Sequence, residues 1–592
     1  MRCRHCEDFL SPSNVSRAYD SHQSACRALK RQKVQQAFFP KAAQTEKAIE
    51  ALAMFFYTTE TPFHKVGSEF LQQAFMLLGC KIPARRELAG KYLEAAYQLV
   101  KARVDKELHV AVGATALLMA LATDGWRKRA AAQGAPLVNA MLLMPNGGSI
   151  FLKVLITAGM CKNAKWVVEQ HVELAMEVTS GNPERLVGVI MDNTKTNLSA
   201  LKQLQERYPM WLCLGCFAHG LALLIKDLGC LNKKQHAPGV AAILTAANTM
   251  ANCINDCSAV RTLLTECQMA VLNNTLAVDV NVPTRFATLY FVLVSILKSE
   301  RAIKAMLLDE KTKWDQWDQW DETKKHSVNS AVFDQCRGDF WSKALKVKQL
   351  IEPICDAIHQ VEADRPLLSQ LLRIYNTLIE HARAWAGRAD VPGALSRGVV
   401  AAVERRFQLH YDTSWSASLV LDPLFAEPDA DGVGGWHMPF GELTGSQYQD
   451  AKSCIVRLVG QEHEKAVLAE LTRLRLGDLP DSMAEALDYI TTRSEDSKQV
   501  VSIESRKKWW NLDKAFPLLS RAAERLLSMH ATTCATERNW STFGHVYIKG
   551  RSRLAIGKAE KLVFIKGNHA GSAGKGVDEE VALSHMLDSD SD

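Results

Sequence analysis

The sequence predicts an α/β core joined to a large all-α part, with a small Cys/His module at the amino terminus. Three observations carry this prediction. Short apolar runs, two of them ending on aspartate, alternate with amphipathic segments between residues 111 and 235. From 236 to 500 the apolar residues recur almost entirely at helical spacing. The first 30 residues gather cysteine and histidine at the spacing of a metal site.

A chain of 592 residues is too long for one ordinary domain, so several units are expected. Its 47% hydrophobic and 23% charged composition is that of a globular protein. No run reaches the ~18 uninterrupted apolar residues of a membrane span, and MRCRHCEDF lacks the apolar segment of a signal peptide. Fifteen scattered cysteines fit reduced thiols in an intracellular protein. A net charge of +6 permits nucleic-acid binding without requiring it.

In chain order, Cys3-x2-Cys6 and His22-x3-Cys26 supply four soft ligands for a structural zinc within residues 1–30. Residues 31–110 begin with a basic stretch, RALKRQKVQQ. They continue as helices in EKAIEALAMFFYTT and RRELAGKYLEAAYQLVKARV. The segment 111–235 opens with ATALLMALATD, a strand candidate. APLVNAMLLMP and SIFLKVLIT flank Asn146-Gly147-Gly148, a hairpin signal. NAKWVVEQHVELAMEV reads as a helix and LVGVIMD as a strand buried on both faces. A helix follows in LSALKQLQERYP, with Asn197 as its expected cap, then the strand MWLCLGC and the helix FAHGLALLIKDLG. Three strands in an antiparallel meander followed by alternating helices and strands is the order of the ribonuclease H-like fold, a fold-level analogy. The fold class is therefore α/β plus all-α: a ribonuclease H-like mixed sheet interrupted by a helical insertion at 236–500. Within the insertion, WDQWDQWDE (314–322) reads as an exposed acidic-aromatic loop or a helix start. Residues 501–572 return to helices in SRKKWW, LLSRAAERLLSM, ATERNWSTFGHVYI and GKAEKLVFIKGN, and 573–592 form an acidic tail expected to be disordered.

Asp124 and Asp192 each end an apolar run. Such aspartates can cap helices or shape turns. In a ribonuclease H-like sheet, however, the first and fourth strands are neighbours, and two adjacent carboxylates call for a cation between them. Magnesium takes such oxygen ligands and serves phosphoryl transfer. Glu537 and Arg538 lie on an amphipathic helix, where spacing alone does not favour an active site. Cys213, Cys216 and His219 recur at three-residue steps and read as two small apolar residues beside a polar histidine rather than as a zinc site.

ATERNWSTFGHVYIKGRSRL resembles the carboxy-terminal signature of hAT-superfamily transposases, S-x-x-x-E-R-x-(F/W)-S followed by glycine and a basic stretch, with KKWW and LLSRAAERLLSM as the usual lead-in. TDGW with QGAPLVNAMLLMPNGGSIFL resembles that family's first catalytic strand and hairpin. VIMDNTKTNLSALKQLQERYPMWLCLGCFAHGLALLIKDL resembles its second catalytic segment with C-x-x-H, and VPTRF its T-R-W motif. The Cys/His module resembles a BED-type finger, a shortened one, because the chain starts two residues ahead of Cys3.

The resemblance implies a D-D-E triad of Asp124, Asp192 and Glu537 holding Mg2+ (or Mn2+), and Zn2+ on Cys3, Cys6, His22 and Cys26. It implies that Cys216 and His219 lie near the active site, where His219 contacts DNA or orients an acid. It places Arg285 and Phe286 at the DNA. Phe286 stands where the family has tryptophan and can still stack on a base. Lys549, Arg551 and Arg553 would contact phosphates or form a solvated face. Residues 31–110 become a helical DNA-binding and dimerisation region, and 501–572 the end of the core together with the dimerisation region. The implied function is DNA end binding, strand cleavage and strand transfer by a nuclear homodimer or higher homo-oligomer on double-stranded DNA. The alternative is a domesticated hAT-derived DNA-binding regulator without catalysis. The intact acids argue against it, since an idle triad would drift.

Overall fold

The computed structural model describes residues 22, 26, 42–113, 118–127, 136–157, 159–229, 236–282, 287–309, 320–336, 338–428, 435–496, 501–546 and 554–569. Backbone contacts divide the chain into two units, 1–110 with 539–571 and 111–538 with 572–592.

Helices α1 (Ala42–Thr58), α2 (Glu69–Leu77) and α3 (Leu93–Gly113) come first. Then follow β1 (Met119–Arg127), β2 (Pro136–Leu143), β3 (Ser149–Ile156), α4 (Ala164–Val178), β4 (Leu186–Met191), α5 (Lys195–Arg207), β5 (Leu212–Gly215) and α6 (Phe217–Leu228). Three helices of the insertion bear on the site: α7 (Phe340–Val361), α8 (Val399–His410) and α9 (Thr413–Val420). The chain closes with α10 (Ile503–Trp509), α11 (Pro517–Ser528), α12 (Cys534–Val546) and α13 (Ile556–Asn568). Apart from a two-residue strand pair, Glu427–Pro428 with Trp436–His437, the described insertion is helical.

The sheet of the larger unit has the order β3-β2-β1-β4-β5. β1, β2 and β3 form the expected antiparallel meander, and β4 and β5 run parallel to β1. This mixed order is compatible with a ribonuclease H-like core that carries a helical insertion. All six residues of β4 are buried, as an unbroken apolar run in a covered parallel strand requires. Leu121, Val189, Trp211 and the apolar faces of α4 and α5 form one core cluster. The β2–β3 hairpin turns where Asn146-Gly147-Gly148 predicts it. Gly147 and Gly148 adopt φ of 106° and 86°, open to glycine at no steric cost.

Two local expectations change. Helix α5 begins at Lys195 and is capped by Thr194, whose Oγ1 accepts from Asn197 N at 3.4 Å, so Asn197 sits inside the first turn rather than at the cap. The WDQ repeat does lead into a helix, which Asp321 caps by accepting from Lys324 N at 2.7 Å. Trp320, however, is buried rather than exposed.

The carboxy-terminal helices of the larger unit are fastened to the sheet and to the insertion. Arg525 on α11 donates to Leu186 O at 2.6 Å and Glu184 O at 2.9 Å, at the start of β4. Arg506 on α10 pairs with Asp422 just beyond α9, both buried, and Ser369 Oγ donates to the same carboxylate at 2.6 Å. In the smaller unit α13 packs on α1, the Tyr97 and Phe564 rings meet edge-on at 5.1 Å, and Lys566 pairs with Glu60 at 2.6 Å. Among the described residues no helix is long and apolar enough to cross a membrane.

Candidate active site

The parallel pairing of β1 with β4 runs to Ala122↔Ile190, and Asp124 and Asp192 each lie two residues beyond it. Strand register therefore brings both carboxylates to the same carboxyl edge of the sheet, half-buried. Side chains alternate along a strand, so Thr123 points away from Asp124. Its hydroxyl donates to His171 Nε2 at 2.8 Å, while His171 Nδ1–H donates to Val167 O at 2.7 Å. The carbonyl can only accept, which fixes this tautomer. Burial pushes the His171 imidazole down to about 4. Asp192 Oδ1 accepts from Thr194 N at 3.1 Å and from Asn197 Nδ2 at 2.7 Å, so one of its oxygens shapes the turn into α5.

Glu537 arrives by a different route. Phe217 N donates to Ala531 O at 3.0 Å, Thr533 N to Cys216 Sγ at 3.3 Å, and Asn139 Nδ2 on β2 to Thr536 O at 3.0 Å. These bonds seat the first turn of α12 across the central strands. Glu537 is half-buried. Burial, followed by the neighbouring Cys216, Asp124 and Glu362, pushes its carboxyl up to about 9, with Arg538 opposing. Lys162, in the loop between β3 and α4, lies within electrostatic reach of both Asp124 and Asp192. Desolvation lowers its pKa, and the two carboxylates raise it. Sequence reasoning missed Lys162 and Glu362, because loop residues and helix ends carry no periodic signal.

Cys216 caps α6, its sulfur accepting from His219 N at 3.5 Å, and the Cys534 thiol also donates to it. Cys213 is buried within β5, and burial pushes its thiol up to about 12. His219 lies near Asp192; burial lowers its pKa and Asp192 raises it. Next to Asp192, Asn193 Nδ2 donates to Cys216 O at 2.8 Å and to His410 Nε2 at 2.9 Å. Burial pushes His410 down to about 3, so it serves as a neutral acceptor. Gly220 makes room for that ring: a Cβ there would stand 0.9 Å from His410 Cε1.

The structure thus brings Asp124, Asp192, Glu537, Cys216 and His219 into one region. All the acids offer hard oxygen donors, the set that Mg2+ or Mn2+ takes. The grouping is open: among the described residues no three His, Cys, Asp or Glu side chains converge tightly enough to enclose one metal ion. A cavity of about 400 Å3 lined by Asp356, Arg373 and Phe425 lies within the insertion and contains none of these acids. Of the finger ligands, His22 and Cys26 are one helical turn apart, with Cys26 N donating to His22 O at 2.7 Å, whereas Cys3 and Cys6 lie outside the described residues. Arg285, Phe286, Lys549, Arg551 and Arg553 also lie outside them.

A mixed sheet that brings two strand-borne acids and a helix-borne glutamate into one region is compatible with a ribonuclease H-like core. Residues 488–569 match the hAT family C-terminal dimerisation region, and residues 83–254 match a domain of unknown function, DUF659. No curated protein matches the chain. Together the two matches support an hAT-family transposase. Its dimerisation region supports association with further copies of itself.

Proposed function

We propose that the chain is an hAT-type DNA transposase that binds transposon ends and carries out metal-dependent strand cleavage and transfer. The observation that carries this reading is the meeting of Asp124 and Asp192, set side by side by β1 and β4, with Glu537 close enough to Asp124 to raise its pKa. Asp124, Asp192 and Glu537 would hold divalent cations, which supply charge neutralisation for an in-line phosphoryl transfer. Asp192 is oriented for this by Asn197 and Thr194, and Asp124 by the locked Thr123–His171 contact beside it. Burial favours the protonated form of Glu537, so to hold a cation it would have to give up that proton. His219, beside Asp192, would orient that carboxylate or contact the DNA. Cys3, Cys6, His22 and Cys26 would hold Zn2+ in a finger that grips DNA, with Arg285, Phe286, Lys549, Arg551 and Arg553 adding contacts. The partners are double-stranded DNA and further copies of the chain, acting in the nucleus.

The test is Mg2+-dependent nicking of a duplex carrying the terminal inverted repeats that this reading expects beside the gene. Asp192→Ala should lower the rate by about 10²–10³-fold, the scale of losing a group that stabilises transition-state charge, while DNA binding persists. Normal nicking by that variant would refute the triad. The openness of the acid cluster favours a second reading, a DNA-binding regulator without catalysis. That reading is upheld if the wild-type protein binds the repeats and never nicks them.

A further inference from the structure

The residue after Glu537 shares its amphipathic helix, and its side chain reaches across to the insertion. Arg538 Nη1 donates to Glu362 O at 2.8 Å, at the carboxyl end of α7, and its Nη2 lies 3.6 Å from Asp364 Oδ2. Arg538 is about half-exposed, whereas the Asp364 side chain retains only 6% of its surface. Asp364 is itself held at both ends. Its Oδ2 accepts from Ser149 Oγ at 2.7 Å, and its backbone O accepts from Gly148 N at 2.7 Å, both in the β2–β3 hairpin. His530 donates from Nε2 to Met144 O at 2.8 Å and brings Nδ1 to 4.0 Å from Asp364 Oδ1. Thr532 Oγ1 donates to Val361 O at 3.3 Å. Three distant parts of the chain therefore converge on one node: the hairpin tip, the end of α7 and the entrance to α12.

The sheet side of α12 is fastened by bonds that end at Thr536, one residue before the glutamate. Arg538 fastens the residue immediately after it. We propose that Arg538 is a positioning residue: its guanidinium locks the first turn of α12 onto the end of α7, so that the insertion sets where the Glu537 carboxylate points. The insertion then takes part in the chemistry indirectly, as an outer shell to the third acid. Such groups commonly govern metal affinity without touching the metal. The guanidinium also acts on Glu537 in the opposite sense to Glu362, which itself has His359 Nδ1 3.6 Å from its carboxylate. This inference rests on the reading of Glu537 as a cation-holding carboxylate.

The experiment uses the full chain and measures Mn2+ binding by the electron paramagnetic resonance of free Mn2+, alongside the Mg2+ dependence of nicking on the inverted-repeat duplex. Arg538→Ala should weaken Mn2+ binding by roughly 10-fold and raise the Mg2+ needed for half-maximal nicking to match. Arg538→Lys, able to reach Glu362 O with one donor, should recover part of the loss. Asp364→Asn, which keeps the Ser149 contact and removes the charge, should move both readouts the same way and by less. If Arg538→Ala does not fold, the lysine and asparagine variants carry the test. Wild-type Mn2+ affinity and Mg2+ dependence in a folded Arg538 variant, even one of lowered thermal stability, would overturn the proposal. Glu537→Gln separates the two claims. If it loses Mn2+ while Arg538→Ala does not, only the positioning role falls; if it binds Mn2+ normally, the triad reading falls and takes this role with it.

Discussion

Two acids of the site are carried by strands and the third by a helix, and the two arrangements depend on different physics. Asp124 and Asp192 lie side by side because β1 and β4 pair in parallel and a register shift of one residue would turn either side chain to the other face. Their placement is a property of the sheet. Glu537 has no such guarantee. It depends on a set of single hydrogen bonds and on two buried charges, Arg506 and Asp422, that hold the carboxy-terminal helices of the core against the insertion. The strand-borne half of the site should therefore survive perturbations that scatter the helix-borne half.

The largest predicted effect breaks that difference open. Asp422→Ala leaves Arg506 buried without its counter-ion and should cost about 3–5 kcal/mol, read by urea denaturation. Replacing both residues by apolar ones of similar volume should restore most of that loss. If the comparison is sound, limited proteolysis of Asp422→Ala should cut first near residues 501–538, while the sheet stays protected.

The next effect tests the strand side through pH. The folded pKa of His171, about 4, lies below its ordinary 6.5. Above 6.5 both states are neutral and nothing is lost. As pH falls from 6.5 towards 4 the unfolded chain takes up a proton that the folded chain refuses, so stability declines, by up to about 3 kcal/mol, and then levels off. His171→Gln should flatten this slope in denaturation curves taken across that range; an unchanged slope would assign it to other groups. The smallest effect sharpens the link between the two halves. Gly220→Ala drives a methyl into the His410 ring and should cost roughly 1–3 kcal/mol, the ordinary range for overpacking, measured as a lowered thermal midpoint. His410→Ala in the same chain should relieve part of that cost.

What the sequence reveals follows the same division. The strands, the hairpin and the pair Asp124/Asp192 are legible because a covered parallel strand writes itself as an apolar run with an aspartate just after it, although β1 itself continues past Asp124 to Arg127. Glu537 is not legible from spacing, since its neighbours Asn139, Cys216 and Glu362 are distant in the chain. Only the likeness to a known signature points to it. Asn197 has the composition of a helix cap, but its side chain holds Asp192 instead, and Thr194 caps the helix. The acidic company of Trp320 suggests exposure, and its burial depends on tertiary packing that no local pattern records.

The bond from Phe217 N to Ala531 O joins two points more than three hundred residues apart. During translation, at roughly 5–20 residues per second, the sheet and both strand acids leave the ribosome long before their partner strap exists. A product cut short by a premature stop, or severed inside the insertion, would retain two carboxylates and lack the third. Truncation would therefore leave the proposed triad incomplete.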